Sequence, residues 1–204
     1  MKKTPLALAF LISIGCFAQN TTTKSTPFPQ FGIKGGVNFA DVKTDLYPNH
    51  DFKMYFNAGL FGHIHLNSHL AVQPEIVYSR QGFKQQQTSN REIDMSLNYI
   101  NIPLMVQYMY RGFRLETGPQ IGFLLNGKAK ASTGEEYKMK DYLKQTDFSW
   151  DIGASYLSAL GVGIFGRYDF GISNINKKVA VTGTQNNEMN NRVWQFGLFY
   201  QFRQ

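Results

Sequence analysis

The sequence predicts an all-β fold: an eight-stranded antiparallel up-and-down transmembrane β-barrel with short periplasmic turns and long extracellular loops. Three observations predict it. Eight stretches alternate apolar and polar residues. The connections between them alternate short (67–68, 111–112 and about 158–160) with long (about 43–53, 83–97, 127–147 and 174–191). In every stretch the apolar residues share one face, which suits a barrel whose outside meets lipid and whose inside is polar.

Residues 1–19 read as a cleaved signal peptide. Lys2-Lys3 form a charged start, Leu6 to Phe17 an apolar stretch, and Cys16-Phe17-Ala18 a small-x-small cleavage site. That stretch is too short for a spanning helix, and no later window approaches about 18 continuous apolar residues. The chain is therefore expected to cross a membrane by strands. Cys16, the single cysteine, is expected to leave with the peptide, so no disulfide forms. The alternative is lipid attachment at Ser13-Ile14-Gly15-Cys16, although a lipobox usually has Leu where Ser13 stands. Residues 20–29 are polar and Pro-broken, a flexible lead-in to a barrel domain over 30–204. The formal charge of +7 falls to +5 without Lys2 and Lys3. An exported barrel does not meet nucleic acid, so the excess belongs to solvated loops or faces outer-membrane lipid.

Each strand follows from period-2 alternation. The first, about 30–42, sends Phe31, Ile33, Val37 and Phe39 outward and Gly32, Lys34, Asn38 and Ala40 inward. The second, about 54–66, has Phe56, Leu60 and Ile64 out and Asn57, Phe61, His63 and His65 in. The third, about 69–81, has Leu70, Val72, Ile76 and Tyr78 out and Gln73, Glu75 and Ser79 in. The fourth, about 97–110, has Ile100, Ile102, Leu104 and Val106 out and Asn101, Met105 and Gln107 in. The fifth, about 113–126, has Phe113, Leu115 and Ile121 out and Arg114, Glu116 and Gln120 in. The sixth, about 148–157, has Trp150, Ile152 and Tyr156 out and Ser149, Asp151 and Ser155 in. The seventh, about 161–175, has Val162, Ile164 and Phe170 out and Arg167 and Asp169 in. The eighth, about 192–203, has Trp194, Phe196, Leu198 and Tyr200 out and Gln195 and Gln201 in. A soluble lipocalin-like barrel would invert this split. Within the loop 127–147, Ser132 followed three residues later by Glu135 suggests the cap of a short helix running toward Lys144.

Outward aromatics fall at two levels, as interfacial girdles do. Phe31, Tyr108, Tyr110, Phe113, Tyr156, Tyr200 and Phe202 lie near the short turns. Phe39, Tyr78, Tyr99, Trp150, Phe170 and Trp194 lie toward the long loops.

Several pieces resemble the PorT-like outer-membrane β-barrel family of Bacteroidota: Phe31 to Phe39, Val72 to Tyr78, Tyr99 to Leu104, Gly118 to Gly122, and Gly166 to Ile175. Their order and spacing carry the resemblance, which covers the whole chain after the signal peptide. It implies an eight-stranded barrel inserted by the barrel-assembly machinery. It implies no single function, since some members of that family serve protein secretion and gliding.

The inward charges are Lys34, Glu75, Arg114, Glu116, Asp151, Arg167 and Asp169. An eight-stranded barrel is about wide enough for side chains to fill it, and buried charges must pair. These seven are therefore expected to form a structural lumen network. His63 and His65 share a face, but a metal site needs further ligands, so no metal and no cofactor is expected. His50 falls in a long loop and the other three histidines lie near the short turns. Hence no Ser-His pair stands at the outer leaflet, where a lipid-modifying enzyme would need it. The expectation is a non-enzymatic barrel acting through its extracellular loops or as a partner in an envelope or secretion complex. The alternatives are a lipid-modifying enzyme and a small passive pore.

Overall fold

The computed structural model describes residues 29–44, 50–88, 91–131, 136–138, 143–174 and 189–202. The signal peptide and all of the lead-in but residue 29 lie outside these. The described strands are β1 (Gln30–Thr44), β2 (His50–His65), β3 (Leu70–Thr88), β4 (Arg91–Tyr110), β5 (Phe113–Ala131), β6 (Glu136–Lys138), β7 (Thr146–Leu157), β8 (Val162–Gly171) and β9 (Met189–Gln201). Eight of them close a ring in chain order. All pairings are antiparallel, and β1 meets β9 through Gly32↔Gln201 to Thr44↔Met189. The ninth, β6, is a three-residue addition beside the end of β5, pairing Lys128–Lys130.

The faces follow the alternation. Phe31, Leu60, Ile76, Leu115, Ile152, Ile164 and Leu198 are exposed on the outside, whereas their neighbours in sequence point into a closed interior. Alternation is enforced by the pleat: one residue of slip would send every lipid-facing side chain inward.

The strands run further than the alternation suggested. β3, β4 and β5 contain 19, 20 and 19 residues, about twice the 9–11 needed to span a bilayer. Much of the expected loop 83–97 is thus a paired hairpin, from Phe83↔Met95 to Thr88↔Arg91. Beyond the bilayer both faces of a strand are wet, so pairing continues without the lipid-dictated pattern. The loop 127–147 changes in the same way. Residues 136–138 form β6 rather than helix, while the proposed cap at 132–135 lies outside the described residues. His50 opens β2 instead of sitting in a loop. By contrast β8 has 10 residues and ends at Gly171, short of the expected 175. The wall is therefore tall at β3, β4 and β5 and low at β7, β8 and β9.

The short turns are tight. Arg111 (φ 48°) and Gly112 (φ 86°) both lie in the left-handed region, as a two-residue type I′ hairpin requires. A Cβ on Gly112 would sit 2.9 Å from the Leu157 carbonyl oxygen. Inside the barrel, Gly32 and Gly163 leave room for the rings of Phe61 and Phe199, whose atoms would otherwise lie 2.1 and 2.2 Å from a Cβ.

Candidate functional site in the lumen

The interior is layered. Near the short turns, Phe61, Phe165 and Phe199 pack together with Leu157 against them. Toward the long loops, Met95, Leu97, Tyr99, Leu124 and Leu143 form a second apolar layer, with Ala40, Tyr55 and Val193 beside it. Leu143, from the segment preceding β7, is buried in this layer. Polar residues fill the space between.

Arg167 on β8 is the centre of that space. Its Nη1 and Nη2 donate to Glu75 Oε2 and Oε1 at 2.9 and 2.8 Å. Its Nε and Nη2 donate to Glu116 Oε1 at 3.0 and 2.7 Å. Lys34 Nζ donates to Glu75 Oε2 at 2.9 Å and lies 4.2 Å from the Phe165 ring centroid. Arg167 Nη1 also stands 3.6 Å from Asp151 Oδ2. A guanidinium suits this role because its planar fork serves two carboxylates at once. The four central groups come from β1, β3, β5 and β8, so the network ties opposite walls together.

Two inward glutamines and one glycine that sequence reasoning gave no role make the network possible. Gln73 Nε2 donates to Glu75 Oε1 and Gln107 Nε2 to Glu116 Oε2, each at 2.8 Å, the second reaching the Glu116 oxygen that Arg167 leaves free. Gly153 lies between Glu116 on β5 and Arg167 on β8 in register. A Cβ there would come within 3.1 Å of Glu116 Oε1. The glutamines were visible as inward polar residues, but nothing in the sequence marked their partners.

The seven charges do not form one network. All are buried, yet Arg114 stands apart, donating to Gln201 Oε1 at 2.8 Å with its guanidinium 5.8 Å from the Phe199 ring. Gln201 in turn donates to Gln30 Oε1. Asp169 accepts from Gln120 Nε2 at 2.6 Å and, among the described residues, forms no ion pair.

Of the girdle residues, Phe31, Tyr108, Tyr110, Trp150, Tyr156, Trp194, Tyr200 and Phe202 are exposed on the outer face. Tyr78 is half-buried there, its hydroxyl donating to Asn98 Oδ1. Tyr99 is the correction. It is 1 % exposed and packs inside the mouth, because outward Ile100 and Ile102 fix odd positions of β4 inward.

The histidines divide similarly. The rings of His63 and His65 meet inside at 4.5 Å. His69 stacks on Tyr108 and bonds the adjacent Ser68 hydroxyl at 2.9 Å on an exposed turn. Among the described residues no carboxylate orients His69, and no group of three or more His, Cys, Asp or Glu is placed to hold a metal. A cavity of about 10 Å³ beside Lys34, Gln73, Arg114 and Arg167 is room for about one water.

Comparison with known proteins places this architecture. Ail, the attachment invasion locus protein of Yersinia pestis, superimposes with a TM-score of 0.54 at 17 % identity, over 85 % of this chain and 99 % of that one. Neisserial surface protein A superimposes with a TM-score of 0.55 at 13 % identity, over 84 % and 97 %. At such identities the likeness is one of fold. No curated protein matches the chain in sequence. A family model does: the outer membrane protein beta-barrel domain matches residues 17–177. A closed eight-stranded barrel with an apolar exterior and a polar lumen, matched over most of its length by that family, is a protein of the outer membrane and belongs to the outer membrane protein beta-barrel domain family.

Proposed function

We propose that this outer-membrane barrel is non-enzymatic and non-conducting, and acts through its extracellular segments as a partner in an envelope or secretion complex. The observation that carries the reading is the filled lumen. Arg167 and its carboxylates bridge the walls, and an apolar layer lies at each end. Water and solutes would have to break buried ion pairs to pass, at a cost of several kcal/mol. The tall wall of β3, β4 and β5 gives the surface-acting part its motive: these strands carry a paired sheet past the bilayer, toward other molecules. The resemblance to PorT-like barrels of Bacteroidota agrees with an assembly role.

The test is reconstitution of the purified barrel in planar bilayers, together with cross-linking on intact cells. The expected result is no stepwise conductance and a reproducible cross-linked envelope protein that disappears when residues 84–94 are replaced by a short turn. Sustained single-channel steps would replace this reading with a passive pore. Altered lipid A in overexpressing cells would replace it with an enzyme.

A further inference from the structure

The outer face changes character where β3, β4 and β5 leave the apolar band. Tyr78, Ile100 and Phe123 stand side by side in register at its upper edge. One same-face step further toward the long loops come Arg80, Asn98 and Asn126, and a second step brings Gly82, Ser96 and Lys128. Arg80, Ser96 and Asn98 are half-buried and Lys128 is exposed, whereas their neighbours Ser79, Gln81, Leu97 and Ala129 are buried inside. These two rows therefore hold two cations and no carboxylate on the lipid side. A band edged by aromatic rings and followed at once by cations marks the layer in which lipid head groups lie. At the long-loop end that layer belongs to the outer leaflet, whose glycolipid bears phosphate.

Arg80 is held in place without being satisfied. Its guanidinium lies 5.1 Å from the Tyr55 ring, and its Nη2 donates to Ser96 Oγ at 3.4 Å. The Tyr55 hydroxyl stands 2.9 Å from the same Ser96 oxygen. A guanidinium carries five N–H donors. Among the described residues this one makes that single long bond, and its buried Nε meets no acceptor. A charged donor left so at the edge of a low-dielectric layer is costly until an anion meets it, and the planar fork matches a phosphate with two parallel bonds. Lys128 is joined to Glu136 at 3.3 Å with both side chains more than half exposed, a pair too weak to keep the ammonium from a stronger anion. With β4 between them, Arg80 and Lys128 stand about 10 Å apart across the sheet. A single small anion does not bridge that span, and a headgroup with two phosphates does.

We propose that the outer face of β3, β4 and β5 binds the phosphorylated headgroup of the outer-leaflet glycolipid, with Arg80 taking one phosphate through its fork and Lys128 adding a second contact. The acyl chains then lie along the exposed Ile76, Ile102 and Leu104 below. The lipid is a specific partner of the tall wall, whatever protein the extracellular segments meet.

The experiment places the folded protein, purified from outer membranes, in phosphatidylcholine vesicles with equal minor shares of bisphosphorylated lipid A and the same lipid stripped of both phosphates. After mild detergent extraction, native mass spectrometry counts the lipid that stays bound. The phosphorylated form is expected to be retained in preference by about fivefold for each cation, roughly 25-fold in all. Arg80→Gln and Lys128→Gln should each cut the preference about fivefold, and the double variant should erase it. Arg80→Lys, which keeps the charge and loses the fork, should fall between Arg80→Gln and the wild type. Replacing chloride by inorganic phosphate at equal ionic strength should leave the wild-type preference in place. Equal retention of the two lipids by the wild type overturns the proposal, as does a preference that survives in the double variant. Loss of the preference in inorganic phosphate overturns the lipid as the ligand and leaves a site for the free anion. The wild-type ratio decides the matter even if a variant folds poorly.

Discussion

Arg167 and Arg114 are both buried in the same lumen, and the protein treats them differently. Arg167 makes four hydrogen bonds to two carboxylates. Arg114 makes one, to a neutral amide, and rests near an aromatic face. The difference teaches what each end of the barrel interior is for. The centre is held by mutual charge satisfaction, which breaks as a unit. The short-turn end is held by ring packing and amides, which fail piecemeal.

Removing Arg167 should produce the largest effect. Arg167→Met strands Glu116 and Asp151 in a closed space and leaves Glu75 to Lys34 alone, and loss of one partner of a buried ionic group costs about 3–5 kcal/mol. Refolding titrations in denaturant, followed by the heat-dependent gel shift of a closed barrel, would measure it. Adding Glu116→Gln to Arg167→Met, with Glu75 left to Lys34, should recover most of that loss. No recovery would mean that Arg167 acts through packing instead of charge.

A charge placed on the outer face comes next. Leu60→Arg puts a cation on the lipid side of β2, where the cost at mid-bilayer is about 2–4 kcal/mol. It should lower folding into vesicles much more than the same change in the extension at Gln86. Arg114→Met should cost about 1–2 kcal/mol, the value of one hydrogen bond to a charged group with partial compensation by new apolar packing. If its effect equals that of Arg167→Met, the proposed contrast between the two arginines is wrong. The smallest effect is expected at Tyr99. Among the described residues its buried hydroxyl meets no partner at good hydrogen-bond geometry, so Tyr99→Phe should be neutral or stabilise by up to about 1 kcal/mol, read from the same unfolding midpoint.

How much of this was legible in the sequence depends on the forces acting on each residue. Lipid imposes a strict period of two, so faces could be assigned strand by strand from Phe31 to Phe202. The turn at Arg111-Gly112 carried its own local signal. Above the bilayer that constraint ends, and the extensions of β3 and β4 looked like loops because their alternation no longer sorts by polarity. Tyr99 misled for a related reason: a tyrosine near a membrane surface suits a girdle, but strand parity turned it inward. Pairing inside the lumen was the least legible part. Which charges meet depends on strand tilt and stagger, which no single strand encodes, so Arg114 and Asp169 were grouped with a centre they do not join. Gly153 mattered only because two side chains from neighbouring strands close over it.

The seam between β1 and β9 has a consequence in time as well as in space. Thirteen register pairs join the first strand to the last, so the hydrogen-bonding edge of β1 has no partner until the final strand arrives. Every earlier intermediate therefore carries two open edges and an unsealed interior, and open edges recruit strands from other chains. Closure of this kind is slow, because the loop spanning nearly the whole chain must be ordered before its bonds form. The last strand is thus the one whose loss is most damaging: without it the ring stays an open sheet with two adhesive borders, however well the other strands pair.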